Sequence, residues 1–373
     1  MAKIKSVEAL TIRMPLDKVT SFARRTVHER FYTLTRVTTD DGQHGIGFCY
    51  VGNAGGEIAS LAVRELFAPL LIGEDPHRTE GLWTEMYQHA ILQGRAGSVL
   101  RALSTIDIAL WDRNARAVGL SLARYLGTSA RDAVPAYASG GYYLEGKTPA
   151  MLAEECVGRV HQGYKAVKIK VGRLDLAGEE ARIKAVREAI GPNILLMLDA
   201  NNAWSDVPTA LAFCRRYEPY DPYWIEEPFS PDEIDSHARL AERTPITVAT
   251  GEIEVGRWRF KELLDKKGAE ILQTDAAVCG GISEWRRIAA LAAGYGVTVA
   301  PHWFHDLHVH LVAATPNATF VEHFPDDQVL NFRRLIDRQL ELVDGSLKVP
   351  TEPGLGFEFD PAALARYGLG GWR

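Results

Sequence analysis

The chain has 373 residues, 46% of them hydrophobic and 24% charged, with 42 basic against 48 acidic side chains and a net charge of −6. So mild an acidic balance, without long basic runs, argues against nucleic acid or any other polyanion as a partner. The length allows two domains, or one barrel with an appendage. No segment offers the roughly 18 continuous apolar residues of a membrane span, and MAKIKSVEALTIRM lacks the apolar run of a signal peptide, so no membrane association and a cytoplasmic location are expected. Cys49, Cys156, Cys214 and Cys279 are scattered without CxxC spacing, the pattern of reduced thiols rather than of disulfides or a zinc site.

Residues 1–130 read as an α+β domain. KIKSVEALTIRM and RFYTLTRVTTDDGQHGIGFCYV are rich in threonine, aromatic and branched residues, with a DG turn that tolerates positive φ, and predict strands. EIASLAVRELFAPLLIG and VLRALSTIDIALWDRNARAVG repeat apolar residues at i, i+3, i+4 and i+7 and end near glycine, which predicts helices.

From 131 to about 325 short apolar strands alternate with helices: AVPAYASGG, AVKIKVG, ILLMLDANN, YWIEEPF, ITVATGE, ILQTDAA, VTVAPHW and ATFVEHF. Polar residues at their ends recur at spacings of 31, 27, 26, 23, 27 and 20 residues, from Lys168 through Asp199, Glu226, Glu252, Asp275 and His302 to Glu322. Eight such β-then-α units predict a parallel sheet, and the repeat favours a TIM-like (β/α)7β barrel over an open sheet, since no GxGxxG turn follows the first strand. Residues 326–373, with LELVDGSLKVPTEPGLGFEF, read as a hairpin-bearing segment that packs back on the first domain.

In a parallel barrel the carboxyl ends of the strands share one rim. Asp199, Glu226 and Glu252, on consecutive strands, would repel one another unless a cation sits between them, and three carboxylates suit a hard divalent ion such as Mg²⁺. Each taken singly could equally cap a helix or face solvent. Glu227 points to the opposite face from Glu226. Asp275 and His302 form a candidate pair in which the carboxylate fixes the imidazole and raises its basicity. His305, His308 and His310 raise a competing zinc site, but they fall on the next loop and helix and no cysteine joins them. Lys168 and Lys170, on one face of AVKIKVG, would have depressed pKa values in a closed barrel interior through desolvation and mutual repulsion, so that a neutral Lys170 could take a proton. The alternative is an edge strand with two lysines on its wet face.

With Lys168-Ile169-Lys170, Asp199 in LDANNAW, Glu226 in WIEEP, Glu252 in TGE, Asp275 in QTDA, His302 in APHW and Glu322 in VEHF, the chain resembles the mandelate racemase group of the enolase superfamily over nearly its whole length. DANNAW, TGE, the APHW…LHVHL run and LELVDG look more like acid-sugar dehydratases of the galactarate and talarate type than like mandelate racemase itself. The resemblance implies a (β/α)7β barrel under an N-terminal capping domain completed by the C-terminal tail, and a homo-oligomer. It implies Mg²⁺ on Asp199, Glu226 and Glu252, Lys170 and His302 on opposite sides of the α-carbon of a sugar acid, and an enediolate formed on loss of the α-proton, a chemistry general to this superfamily. Lys168 would neutralise the substrate carboxylate, a protonated Glu322 would hydrogen-bond to it, Asn201 would contact substrate or a metal-bound water, and Arg24 or Arg25 would either hold a distal carboxylate or simply face solvent. The implied reaction is β-elimination of water to a 2-keto-3-deoxy acid. Cycloisomerisation or epimerisation of a sugar acid, or a catalytically silent sugar-acid-binding barrel, are the alternatives.

Overall fold

The computed structural model describes residues 2–128 and 131–373. Three antiparallel strands open the chain, β1 (Ile4–Phe22), β2 (Arg25–Thr39) and β3 (His44–Gly52), in the order β1-β2-β3. Alternation drives β1: Ile12 and Met14 are buried, while Arg13 and Pro15 are exposed. The strands run further than the sequence suggests, because pairing resumes after a register shift between Pro15 and Thr20 and continues to Phe22–Arg25. SFARRT is therefore the tip of a long hairpin, with Ala23 at φ 43°. Asp41 and Gly42 make the expected turn between β2 and β3.

The helix Gly97–Ala117 crosses β3 so closely that a Cβ on Gly45 would lie 2.0 Å from the Ala109 carbonyl oxygen, and one on Gly47 1.9 Å from that of Thr105. Only glycine admits this approach.

All eight expected barrel segments contain strands: β4 (Ala133–Ser139), β5 (Ala166–Lys170), β6 (Leu195–Asp199), β7 (Pro222–Glu226), β8 (Val248–Thr250), β9 (Ile271–Leu272), β10 (Thr298–Val299) and β11 (Val321–His323). They are parallel, with β4 through β10 side by side in sequence order and β11 on the other side of β4. Between β10 and β11 the ladder thins to one bridge, Val299–Ala318, flanked by Val299 N donating to Asn317 O and Thr319 N donating to Val299 O, both 2.9 Å. Val167, Ile169 and Val171 pack outward in the large core beneath the helices, while Ala166, Met197, Trp224 and Ala249 form a separate inner cluster. That two-sided burial is what a parallel sheet covered by helices requires.

The hairpin β12 (Leu342–Val343) and β13 (Ser346–Lys348) differs from expectation. It does not join the first sheet: β13 pairs antiparallel with β4 at residues 133–135. β11 covers β4 only from Ala136 onward, so the start of β4 offers an open edge that β13 fills. The last residues do reach the N-terminal sheet, where Leu369 N donates to Thr11 O at 2.8 Å and Ala9 N to Arg373 O at 2.8 Å.

Candidate active site

Strand register gathers the charged residues. Lys170 pairs with Asp199 and Asp199 with Glu226, so three charged side chains stand in one row across β5, β6 and β7. Glu252, Asp275, His302 and Glu322 join them from the later strand ends, so every residue expected on the rim meets at one end of the sheet.

Asp199, Glu226 and Glu252 each offer a carboxylate oxygen, and these oxygens lie within 4.8 Å of one another. Asp199 and Glu226 are fully buried, whereas the Glu252 side chain is 12% exposed. Burial, and then the Asp199 charge, push Glu226 up to about 8. Like charges this close and this dry are relieved by a cation, and an all-oxygen donor set fits a hard divalent ion such as Mg²⁺ rather than a soft metal. Glu227, buried at φ 43° with its Oε2 lacking a hydrogen-bond partner among the described residues, lies outside the triad.

The lysines correct the sequence reading. Burial does work to lower both, but the carboxylates around them win, and both are raised above the ordinary lysine value. Lys170 Nζ lies 2.5 Å from Asp199 Oδ2. Lys168 Nζ lies 2.7 Å from Glu226 Oε1 and 2.6 Å from Glu322 Oε1. Adjacent acids, invisible until register is known, outweigh the repulsion between the two ammonium groups. Glu322 is corrected for the same reason. Burial raises it, but Lys168, His302 and Lys170 together pull it to about 2, so it is a carboxylate and not a protonated donor. Its Oε2 accepts from Trp303 N at 2.8 Å.

The expected pair forms. His302 Nδ1 lies 3.0 Å from Asp275 Oδ2, and Asp275 Oδ1 accepts from Ala277 N at 2.8 Å, which fixes the carboxylate at the start of the helix Ala276–Cys279. His302 Nε2 faces Glu252 Oε1 at 3.6 Å. Burial lowers the imidazole, but Glu252 and the bond to Asp275 outweigh it and raise it to about 9.

These groups border a cavity of about 610 Å³ between the sheet end and the N-terminal strands. Lys170, Asn201, Glu252, Asp275 and His302 line its barrel side. Asn201, at φ 45° in a region asparagine tolerates, is buried with its Oδ1 unpartnered among the described residues. Lys168, Asp199, Glu226 and Glu322 lie buried beneath and do not form the wall. Arg24 is exposed and off the wall, whereas Arg25 lines it and donates to Asn202 Oδ1 at 3.1 Å. The other histidines are occupied in packing. His308 Nδ1 donates to Trp303 O at 2.7 Å and its Nε2 accepts from Ala276 N at 3.0 Å, while His305 packs edge-on against His323 at 4.5 Å. They form no metal-binding group among the described residues.

Sequence reasoning missed Arg30 and Trp303. Arg30 shares strand parity with the buried Tyr32 and Leu34, a signal that an arginine points inward. Trp303 and Phe304, at φ 49° and 29°, turn the chain sharply after His302 and stack at 4.8 Å; nothing in the local sequence announces that bend.

Residues 4–127 match the family described as mandelate racemase / muconate lactonizing enzyme, N-terminal domain, and residues 151–363 match enolase C-terminal domain-like. The chain is 36% identical to an L-talarate/galactarate dehydratase of Salmonella typhimurium over 96% of this chain and 88% of that one. It is 34% identical to a D-galactarolactone cycloisomerase of Agrobacterium fabrum over 98% of each. It superimposes on the crystal structure of an L-talarate dehydratase from a Polaromonas species, complexed with Mg and L-glucarate, with a TM-score of 0.89 and 35% identity, over 100% of this chain and 99% of that one. With both of its domains matched by family descriptions and with relatives 34 to 36% identical over nearly its whole length, the chain belongs to the mandelate racemase group of the enolase superfamily.

Proposed function

We propose that the protein is a Mg²⁺-dependent sugar-acid dehydratase, a hydro-lyase converting a 2,3-dihydroxy carboxylate to a 2-keto-3-deoxy acid. The observation that carries this is the presence in one cavity of two proton-transfer groups, Lys170 and His302, beside an acidic triad. The likeness to a talarate/galactarate dehydratase supports the same reading.

Asp199, Glu226 and Glu252 would hold the cation, which when bound supplies positive charge that stabilises the enediolate. Lys170 takes the α-proton, but only once Asp199, the carboxylate that holds it protonated, has its charge neutralised. His302, its ring held by Asp275, gives its Nε2 proton to the β-hydroxyl, which leaves as water as the C–O bond breaks. The enol left behind gains a proton at C3, loses the proton of its C2 hydroxyl and becomes the ketone. Asp275 occupies Nδ1, so that Nε2 is the atom presented to substrate. Lys168 acts from below, holding Glu226 and Glu322 in place and countering charge, and the free Asn201 Oδ1 accepts from a substrate hydroxyl.

A second reading, cycloisomerisation or epimerisation of a sugar acid, uses the same two groups and is favoured by the full-length likeness to a galactarolactone cycloisomerase. A silent sugar-acid binder has no use for the Asp275–His302 pair. We also read β4 to β11 as a (β/α)7β barrel within 131–325, with 1–130 and, apart from the hairpin on β4, 326–373 forming the cap. The chain is further read as a cytoplasmic homo-oligomer, a location supported by four buried free thiols.

The test is incubation with Mg²⁺ and a panel of mono- and diacid sugars, following 2-keto acid formation, with active acids repeated in D₂O by NMR. Keto acid is the expected product. Deuterium at the α-carbon without keto acid would overturn the dehydratase reading in favour of epimerisation, and absence of both with every acid would leave a binding protein.

A further inference from the structure

Five cations are buried among the described residues: Arg30, Arg113, Lys168, Lys170 and Arg182. Four face a carboxylate. Arg113 pairs with Asp41 at 2.5 Å, Arg182 with Glu179 at 3.7 Å, and the two lysines with the acids described above. Arg30 is the exception. Its Nε donates to Val329 O at 3.0 Å, its guanidinium lies 5.2 Å from the Tyr50 ring and 5.4 Å from the Trp303 ring, and no carboxylate pairs with it among the described residues. It is 3% exposed and lines the cavity.

A desolvated cation without a counter-ion is costly, and two ring faces offset only part of that cost. Burial of this kind is retained where a ligand supplies the missing charge. The arginines that line the cavity, Arg25, Arg30 and Arg101, all come from the N-terminal part, while its acids among the described residues, Glu252 and Asp275, come from the barrel together with Lys170 and His302. Arg101 donates to Tyr50 O at 2.7 Å and likewise has no carboxylate partner among the described residues. The N-terminal wall of the cavity therefore carries positive charge and no carboxylate of its own among the described residues.

We propose that Arg30, assisted by Arg101, binds a second anionic group of the substrate, a distal carboxylate, and so selects diacid sugars over monoacids. This rests on the sugar-acid reading above and narrows it. Arg30, not Arg24 or Arg25, is then the residue that measures the far end of the molecule, because a dry, unpaired guanidinium gains most from a carboxylate.

The experiment compares a six-carbon diacid with the monoacid of matching configuration, using the Mg²⁺-loaded protein, its Arg30→Met and Arg30→Lys variants, and Arg101→Met. The unaltered protein is expected to favour the diacid by at least about a hundredfold in kcat/KM. Arg30→Met should remove about a hundredfold from the diacid, chiefly through KM, and leave the monoacid within about threefold, with Arg30→Lys recovering part of the loss. Equal losses on both acids, or preference for the monoacid, would overturn the proposal. Binding is read separately, by the rise in melting temperature with glutarate against butyrate. A glutarate-specific rise that Arg30→Met abolishes supports the receptor even if no acid turns over, in which case the dehydratase reading alone fails. No difference between the two probes overturns the receptor. If Arg30→Met does not fold, Arg101→Met carries the same comparisons, with a smaller selective loss on the diacid expected and an equal loss on both acids contrary to it.

Discussion

Lys170 and Asp199, register partners on adjacent strands, meet Nζ to Oδ2 at 2.5 Å inside the cavity floor. The same carboxylate belongs to the acidic triad, and Glu252, another member, faces His302 Nε2. The proposed metal site and the proposed proton-transfer groups therefore share side chains, and perturbing one is expected to disturb the other.

Lys170→Met removes the group proposed to take the α-proton and leaves Asp199 buried without its counter-charge. Keto acid formation should fall by about 10²- to 10⁴-fold. In EDTA the variant should melt lower than the unaltered protein, since breaking a buried pair costs about 3–5 kcal/mol. Added Mg²⁺ should recover most of that loss, because Asp199 then has another partner. Paired melting curves and rates with and without Mg²⁺ check both parts, and an unchanged rate would remove Lys170 from the mechanism.

Chelation should abolish activity and readdition of Mg²⁺ restore it. Bound cation should also stabilise the fold, by about 2.7 kcal/mol at a hundred times its Kd. Glu252→Gln, which deletes one charge from the triad at its most open member, should shrink that stabilisation, as measured by urea midpoints across a Mg²⁺ titration. An undiminished effect would place the cation elsewhere.

His302→Asn should abolish dehydration. Asp275→Asn is the finer probe, because it keeps the imidazole but withdraws the carboxylate that holds Nδ1 at 3.0 Å. The rate should drop by about 10²- to 10⁴-fold with a smaller change in KM. Steady-state kinetics over the pH range decide it; equal rates for the Asp275→Asn variant and the unaltered enzyme would leave Asp275 a mere helix cap.

Acid should unfold the protein through buried histidines outside the Asp275–His302 pair. Burial lowers His310 from 6.5 to about 4, and burial together with Arg333 lowers His305 to about 3. His310 Nδ1 accepts from Ala123 N at 3.2 Å while Nε2 donates to Leu355 O at 3.1 Å, an arrangement that a second ring proton would break. Because the folded state keeps the neutral ring, this contribution is complete above pH 6.5 and is lost as pH falls through about 4. For His310 the loss amounts to about 3 kcal/mol. Urea midpoints between pH 7 and 4 should fall steeply, and His310→Gln should flatten the slope whatever its effect at pH 7.

By itself the sequence determined the repeat of eight strand-forming segments and the polar residue at each strand end, because a parallel strand covered on both faces must be apolar until it reaches the rim. It thereby determined the triad Asp199, Glu226 and Glu252 and the Asp275–His302 pair, since side-chain parity and strand order are local and periodic properties. Tertiary structure alone decided protonation. Lys168, Lys170 and Glu322 take their charge states from acids and bases on neighbouring strands, at contacts of 2.5 to 2.7 Å that depend on register and that no single segment encodes. It decided, too, that the hairpin at Asp344-Gly345 docks on the open edge of β4, which exists only because β11 leaves it uncovered. The place of Arg30 was settled the same way: strand parity points it inward, but only the assembled cavity leaves it without a counter-ion.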